Sequence, residues 1–175
     1  MSRGLGDVYK RQVKGAYWDS EIKYAQVSGF DDYSVFTRKP LTDLSWMACA
    51  IKLIKYQKNI FPAFATHNAY SIAFIEEIAR GCKFEFQRIH GMADILHNYF
   101  NKNSNLEKTK CRIYAPVGDY EDLLPYLMRR LLENGANTSF VNKLNDKNFK
   151  VEEFVIDPID IIKKYNEYGL SLIHI

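Results

Sequence analysis

Two adjacent arginines, Arg129 and Arg130, stand inside the apolar stretch Tyr126-Leu127-Met128-Arg129-Arg130-Leu131-Leu132. Leu124, Leu127, Met128, Leu131 and Leu132 recur at helical spacing and are expected to need burial. Successive helical positions diverge by about 100° around the axis. The two guanidinium groups therefore project differently, and at least one lies near the edge of the apolar face. A guanidinium held there requires an anion, because breaking up a buried charge pair costs on the order of 3–5 kcal/mol. Its planar fork of donors suits a carboxylate or a phosphate. Two surface arginines paired with Glu133 and Asp122 fit the same spacing, and the helix alone does not choose between these readings.

Other polar groups gather where strands are expected to end: Lys14-Gly15-Ala16-Tyr17, Thr66-His67-Asn68, Gln87-Arg88-Ile89-His90 and Tyr114-Ala115-Pro116. Glycine allows close backbone approach and lysine offsets phosphate charge. Taken singly, each has a plainer reading. Trp18, Phe84 and Phe86 suit a core, and His67 suits a helix start bonded to backbone. His90 and His97 form no zinc-type spacing with Cys82 or Cys111. The chain has neither a Gly-x-Gly-x-x-Gly loop nor a Walker loop.

The elements that must position these groups alternate between strand and helix. A strand end is expected at 13–17, and a helix at 19–27. A connection follows over 29–40, then a helix over 42–57 capped by Thr42 or Asp43 and carrying Leu44, Met47, Ala48, Ile51 and Ile54 or Lys55 near one face. Strands are expected at 61–65, 84–89 and 111–115. Asn68 is the expected cap of a helix ending near Gly81. A shorter helix to about Phe100, a polar loop over 101–109 and the arginine helix complete the pattern. Such alternation predicts parallel α/β architecture. It fits half of a (βα)8 barrel or part of a doubly wound sheet.

The two ends carry a different signature. Asp7-Val8-Tyr9-Lys10-Arg11-Gln12 can be encoded by GAT GTG TAT AAG AGA CAG, and Leu170-Ser171-Leu172-Ile173-His174-Ile175 by CTG TCT CTT ATA CAC ATC. Each string is the reverse complement of the other. Residues 1–12 and 170–175 therefore read as translated sequencing adapter, to be set aside before fold reasoning. The native portion is then an internal fragment of a longer gene.

The full chain has 24 basic and 21 acidic residues, a net +3. Setting aside Arg3, Lys10, Arg11 and Asp7 leaves 21 and 20, a net +1. That balance offers no electrostatic case for nucleic acid. Three cysteines without metal-type spacing suit a reducing, cytoplasmic setting, with packing as their role. No apolar run is long enough to cross a membrane.

Five segments occur in order: 13–23 (Val-Lys-Gly-Ala-Tyr-Trp-Asp-Ser-Glu-Ile-Lys), 36–39 (Phe-Thr-Arg-Lys), 64–69 (Phe-Ala-Thr-His-Asn-Ala), 111–118 (Cys-Arg-Ile-Tyr-Ala-Pro-Val-Gly) and the arginine helix. Together they resemble the proline dehydrogenase domain of the bacterial bifunctional proline utilization A family, from Val13 to about Pro158. The resemblance implies the C-terminal half of a TIM-type (βα)8 flavin-binding barrel, truncated, over 13–150, with 151–169 as a connector toward a missing downstream domain. It implies FAD-dependent oxidation of L-proline to 1-pyrroline-5-carboxylate, with electrons passed to a quinone at the membrane surface. NAD would serve only a downstream glutamate-semialdehyde dehydrogenase.

By the same resemblance, Val13, Lys14, Gly15, Ala16, Trp18, Thr37, Lys39, Thr66, His67, Asn68, Gln87, Ser139 and Phe140 are expected at FAD. Arg129 and Arg130 match the pair that holds the proline carboxylate. Tyr114, Tyr126 and Ile89 match the pocket wall, and Glu133 can orient an arginine. Ile89 stands where leucine is expected, a volume-conserving change. The family carries an arginine near flavin N5 two positions before Val13. Arg11 has that spacing but falls in the adapter reading and is not counted. Acidic and lysine residues of earlier strands have no counterpart, so the fragment alone is expected to be inactive and, with its sheet edges uncovered, to aggregate. An unrelated barrel enzyme holding a phosphate, or a noncatalytic interaction domain with structural arginines, are the competing expectations.

Overall fold

A computed structural model describes residues 8–15, 17–103, 109–135 and 156–167. These fall into two compact units, one of Met1–Val13 with Ala48–Phe149 and the other of Lys14–Met47 with Lys150–Ile175.

The first unit is built on four strands, β1 (Val8–Gln12), β2 (Ile60–Ala65), β3 (Glu85–Ile89) and β4 (Lys110–Tyr114). They pair in parallel in the order β1-β2-β3-β4. Neighbours in sequence are neighbours in space, which is the winding of a (βα)8 barrel; a doubly wound sheet reverses its order at a switch point. The fold is α/β, a truncated portion of a TIM-type barrel. The β2–β3 ladder begins at Ala63, one residue after Pro62, which has no N–H to give.

A helix follows each of the last three strands: α3 (Ala69–Ile78), α4 (Asp94–Asn103) and α5 (Tyr120–Gly135). One sheet face packs against helices through aromatic edges. Phe86 meets Phe84, Phe100 and His97 at centroid distances of 5.2, 5.3 and 5.8 Å, each edge-to-face. Side chains alternate along a strand, so Glu85, Gln87 and Ile89 occupy the opposite face. β3 is buried at all five positions.

The second unit contains α1 (Trp18–Ser28), the start of α2 (Lys39–Lys55) and α6 (Pro158–Glu167). Gly29 closes α1 at φ 66°, a left-handed value that glycine adopts without steric penalty. In this unit Arg38 lies over the ring of Tyr165 at 4.9 Å.

Several expectations are corrected. The first strand is Val8–Gln12, whereas 13–15 have no regular structure. Helix α2 begins at Lys39, with Pro40 in its first turn, where a missing N–H is tolerated. Asp43 is thus inside the helix and not its cap. Its buried residues are Trp46, Ala50, Leu53 and Ile54, while Ile51 is exposed. Residues 101–103 extend α4, 104–108 lie outside the described residues, and the connector region carries α6. Cys49 is exposed and not packed. The apolar residues of α5 are also exposed, Leu131 to 64% and Leu132 to 63%. Their helical stripe forms as expected, but no described element covers it.

The turn between β3 and α4 holds Ala93 at φ 56°, where a Cβ crowds the backbone. In the full-length protein, Ala93→Gly is expected to raise stability by about 0.5 kcal/mol, the net of relieved strain and added unfolded-state entropy. Thermal melts of the two proteins check this, and a lower melting temperature for the glycine variant contradicts it.

Candidate active site

The polar face of the sheet is organised by Glu85, which is 4% exposed. Arg112 on β4 grips it with two bonds, Nε to Oε1 and Nη2 to Oε2, both 2.9 Å. Tyr9 on β1 donates its hydroxyl to Oε1 at 2.5 Å, and Gln87 Nε2 donates to Oε1 at 2.7 Å and also to the Tyr9 hydroxyl. These donors, Arg112 foremost, hold the Glu85 carboxyl at about 2, against an opposing push from burial. Gln87 Oε1 accepts from Arg11 Nε at 2.8 Å, and the Arg11 guanidinium lies 5.0 Å from the centre of the Tyr114 ring. Arg11, set aside in the sequence reading, is therefore placed on the same face as Gln87 and Tyr114.

At the C-terminal end of β2, Thr66-His67-Asn68 is held from several sides. Thr66 N–H donates to Gln87 O at 3.2 Å, and Asn68 N–H donates to Thr66 Oγ1 at 3.2 Å. Asn68 caps α3 as expected, its Oδ1 accepting from Ser71 N–H at 3.0 Å. His67 Nε2 accepts from the Ile89 N–H at 3.1 Å. The ring is bonded to backbone, as the plain reading of His67 required, and this bond ties it to the end of β3.

A cavity of about 440 Å³ opens at the C-terminal ends of β3 and β4 against α5. Its wall includes Ile89, His90, Pro116, Tyr126 and Arg130. Arg130 stacks over Tyr126 at 5.2 Å. Three of the six expected substrate residues are thus brought together. Tyr114 and Arg129 are half-buried in the same unit but are not in this wall. Of Glu133 only the backbone, within α5, is described.

The second unit holds Lys14, Gly15, Trp18, Thr37 and Lys39. Lys14 Nζ lies 2.6 Å from Asp43 Oδ1, and Lys39 Nζ approaches the same oxygen at 3.1 Å. Lys14 also lies 5.3 Å from the Trp46 ring centre. Burial, then the neighbouring Lys39, lowers the Lys14 pKa, and Asp43 acts in the opposite sense. Two ammonium groups on one carboxylate leave an excess of positive charge. Beside Thr37 and Lys39, the buried Arg38 Nε has no hydrogen-bond partner among the described residues. This donor set fits a phosphate-bearing ligand such as FAD. Val13 is exposed at the end of the first unit. Ala16, Ser139 and Phe140 lie outside the described residues.

The model of the proline dehydrogenase family matches residues 7–143. The chain belongs to the proline dehydrogenase family. It is 50% identical over 170 residues to the bifunctional protein PutA of Salmonella typhimurium, covering 93% of this chain and 13% of that protein. Against the Escherichia coli bifunctional protein PutA the identity is 50% over 161 residues, covering 88% of this chain and 12% of the relative. A crystal structure of a Bradyrhizobium japonicum proline utilization A (PutA) mutant superposes with a TM-score of 0.82 at 50% identity, over 90% of this chain and 16% of that one. The chain therefore spans about an eighth of the length of these two bifunctional relatives.

Sequence reasoning missed Glu85, Arg112 and Asp43 as parts of this arrangement. For Glu85 a signal was present: in Phe84-Glu85-Phe86-Gln87 the polar residues alternate with aromatic ones, the mark of a strand with one polar face. Because the folded carboxyl titrates near 2 and the free one near 4.5, Glu85 contributes stability above pH 4.5 that is lost as pH falls toward 2. Glu85→Gln in the full-length protein is expected to lower the melting temperature at neutral pH. The gap between the two proteins should close progressively below pH 4.5. A constant gap from pH 7 to 3 would refute the assignment.

Proposed function

We propose that the protein containing this segment oxidises L-proline to 1-pyrroline-5-carboxylate with FAD, the first step of proline catabolism to glutamate. Family membership supports the activity class, and the observation that carries the site is Arg130 set in the wall of an apolar cavity with Tyr126 and Ile89. An apolar wall suits the methylene groups of the proline ring, and a guanidinium at its edge suits the carboxylate. FAD, when bound, supplies the hydride acceptor.

The chain's own residues do the positioning. Arg130 and Arg129 hold the carboxylate, with Glu133 orienting one of them. Ile89, Tyr114 and Tyr126 limit where the ring can lie, so that its reactive carbon is presented in one geometry. Thr66, His67, Asn68 and Gln87 contact the flavin end of the cofactor. Lys14, Gly15, Thr37 and Lys39 serve its phosphates, and Val13, Ala16, Trp18, Ser139 and Phe140 flank it. Lys14 must then exchange some of its pairing with Asp43 for phosphate.

The same reading extends to the parent protein. It passes electrons to a quinone at the membrane surface from a cytoplasmic position, and a downstream NAD-dependent module oxidises glutamate semialdehyde. Among the described residues no helix is long and apolar enough to cross a membrane. On this reading residues 1–12 and 170–175 are translated adapter and 151–169 the connector, while Val8–Gln12 nevertheless pair with β2 and the family match begins at residue 7. Recovering the genomic sequence around the segment tests this set; native codons continuous through 1–12, or a stop codon soon after the counterpart of Gly169, would overturn the corresponding part.

In the full-length protein, Arg129→Met and Arg130→Met are each expected to weaken proline binding roughly ten- to hundred-fold, the loss of one charge-assisted hydrogen bond of about 1.5–3 kcal/mol. FAD content should stay near that of the parent. Lys14→Ala should chiefly lower FAD content. Proline affinity, flavin absorbance and melting temperature measured on the same samples decide the matter. Normal proline affinity in both arginine variants would dismiss the carboxylate clamp.

A further inference from the structure

His97, on α4, is 1% exposed and takes no part in the site as described above. Its Nε2 lies 3.0 Å from the backbone oxygen of Thr66, and its Nδ1 lies 3.5 Å from Cys111 Sγ on β4. A carbonyl oxygen can only accept, so Nε2 carries the hydrogen and donates it to Thr66. Nδ1 is then the acceptor for the Cys111 thiol. The charges around the ring agree with a neutral imidazole. Burial lowers the His97 pKa, His67 and Arg88 lower it further, and the Thr66 oxygen and Asp94 act against them. Burial also raises the Cys111 thiol, keeping its hydrogen in place to donate. The ring is wedged edge-to-face on Phe86 at 5.8 Å, which limits its rotation.

The Thr66 carbonyl begins the peptide unit that continues into His67. Thr66 already uses its N–H on Gln87 and its hydroxyl on the Asn68 N–H. The His97 bond occupies its carbonyl, so all three polar groups of Thr66 are engaged. His67 is tied on its other side by the Ile89 N–H. The Thr66–His67 peptide plane is therefore clamped between α4 and β3.

We infer that His97 is a positioning residue for the cofactor site, acting through the Thr66 carbonyl to set the orientation of Thr66, His67 and Asn68. The inference rests on the proposal that this segment contacts FAD. Cys111 extends the chain of contacts, since its thiol selects the imidazole tautomer that can donate to Thr66. No covalent or redox step is involved.

Three substitutions in the full-length protein separate this role from simple packing. His97→Phe keeps a ring against Phe86 and removes both nitrogens. His97→Asn places an amide near the Nδ1 position, whereas His97→Gln places an N–H donor near the Nε2 position and can still reach Thr66. FAD titrated into the apoprotein should bind about tenfold more weakly to the Phe and Asn variants, the scale of one buried hydrogen bond. The Gln variant should bind within about twofold of the parent. Melting temperatures of the apoproteins are measured alongside. Equal FAD affinity in all three variants, or affinities that merely follow the melting temperatures, would overturn the inference.

Asn68→Ala serves as the reference. If it weakens FAD binding while His97→Phe does not, the positioning role fails and the contact segment stands. If both leave FAD binding unchanged, the segment is not at the cofactor and the inference falls with it.

Discussion

A carboxylate in the middle of a parallel sheet is the constraint on which the first unit depends. Glu85 sits on the strand buried at every position, where an uncompensated charge would be expelled or neutralised. It stays ionised because Arg112 and Tyr9 reach it from the strands on either side of β2 and β3, and Gln87 from its own strand. The bidentate pairing with Arg112 draws β4 into register with β3, and the Tyr9 hydroxyl spans from β1 across β2. The strand ends that carry Thr66, Ile89 and Tyr114 are then carried on a sheet whose polar face has a single hydrogen-bonding arrangement.

The proposed catalytic work is divided along these same lines. Polar groups on the sheet face and at the strand ends are joined to one another, as in Arg11–Gln87–Glu85 and Ile89–His67. Groups proposed to meet substrate, above all Arg130, lie instead on a helix facing an apolar cavity. Such a division suits a reaction whose chemistry resides in a cofactor. The protein must hold two molecules in fixed relation, and rigid hydrogen-bonded strand ends do so better than mobile loops. The second unit adds a different device, a lysine pair on Asp43 that keeps positive charge ordered where phosphate is proposed to bind.

The resemblance read from the ordered motifs and the family membership agree, and the fold class follows from both. Ordered motifs survive because strand ends and helix caps are local. Asn68 caps α3 through Ser71, three residues away, and Gly29 ends α1 within its own turn. The errors have one local cause and one long-range cause. Pro40 let α2 start three residues early, which turned Asp43 from an expected cap into a counter-ion. The first strand fell at Val8–Gln12 because Tyr9 and Arg11 find partners on β3 that no local pattern announces.

By itself, then, the sequence determined the alternation of strands and helices, the Asn68 cap and the apolar stripe of α5. These depend on interactions within about one helical turn or on the two-residue period of a strand. Tertiary structure decided which distant residues meet on one face and kept Glu85 ionised and His97 neutral. The Glu85–Arg112 pair joins positions 27 apart, and His97 reaches Thr66 across 31. Over such separations the partner is chosen by strand order and register, and burial then makes that choice strong. The same reason explains the exposed leucines of α5: periodicity can say which side of a helix is apolar, but only the packed fold supplies something to cover it.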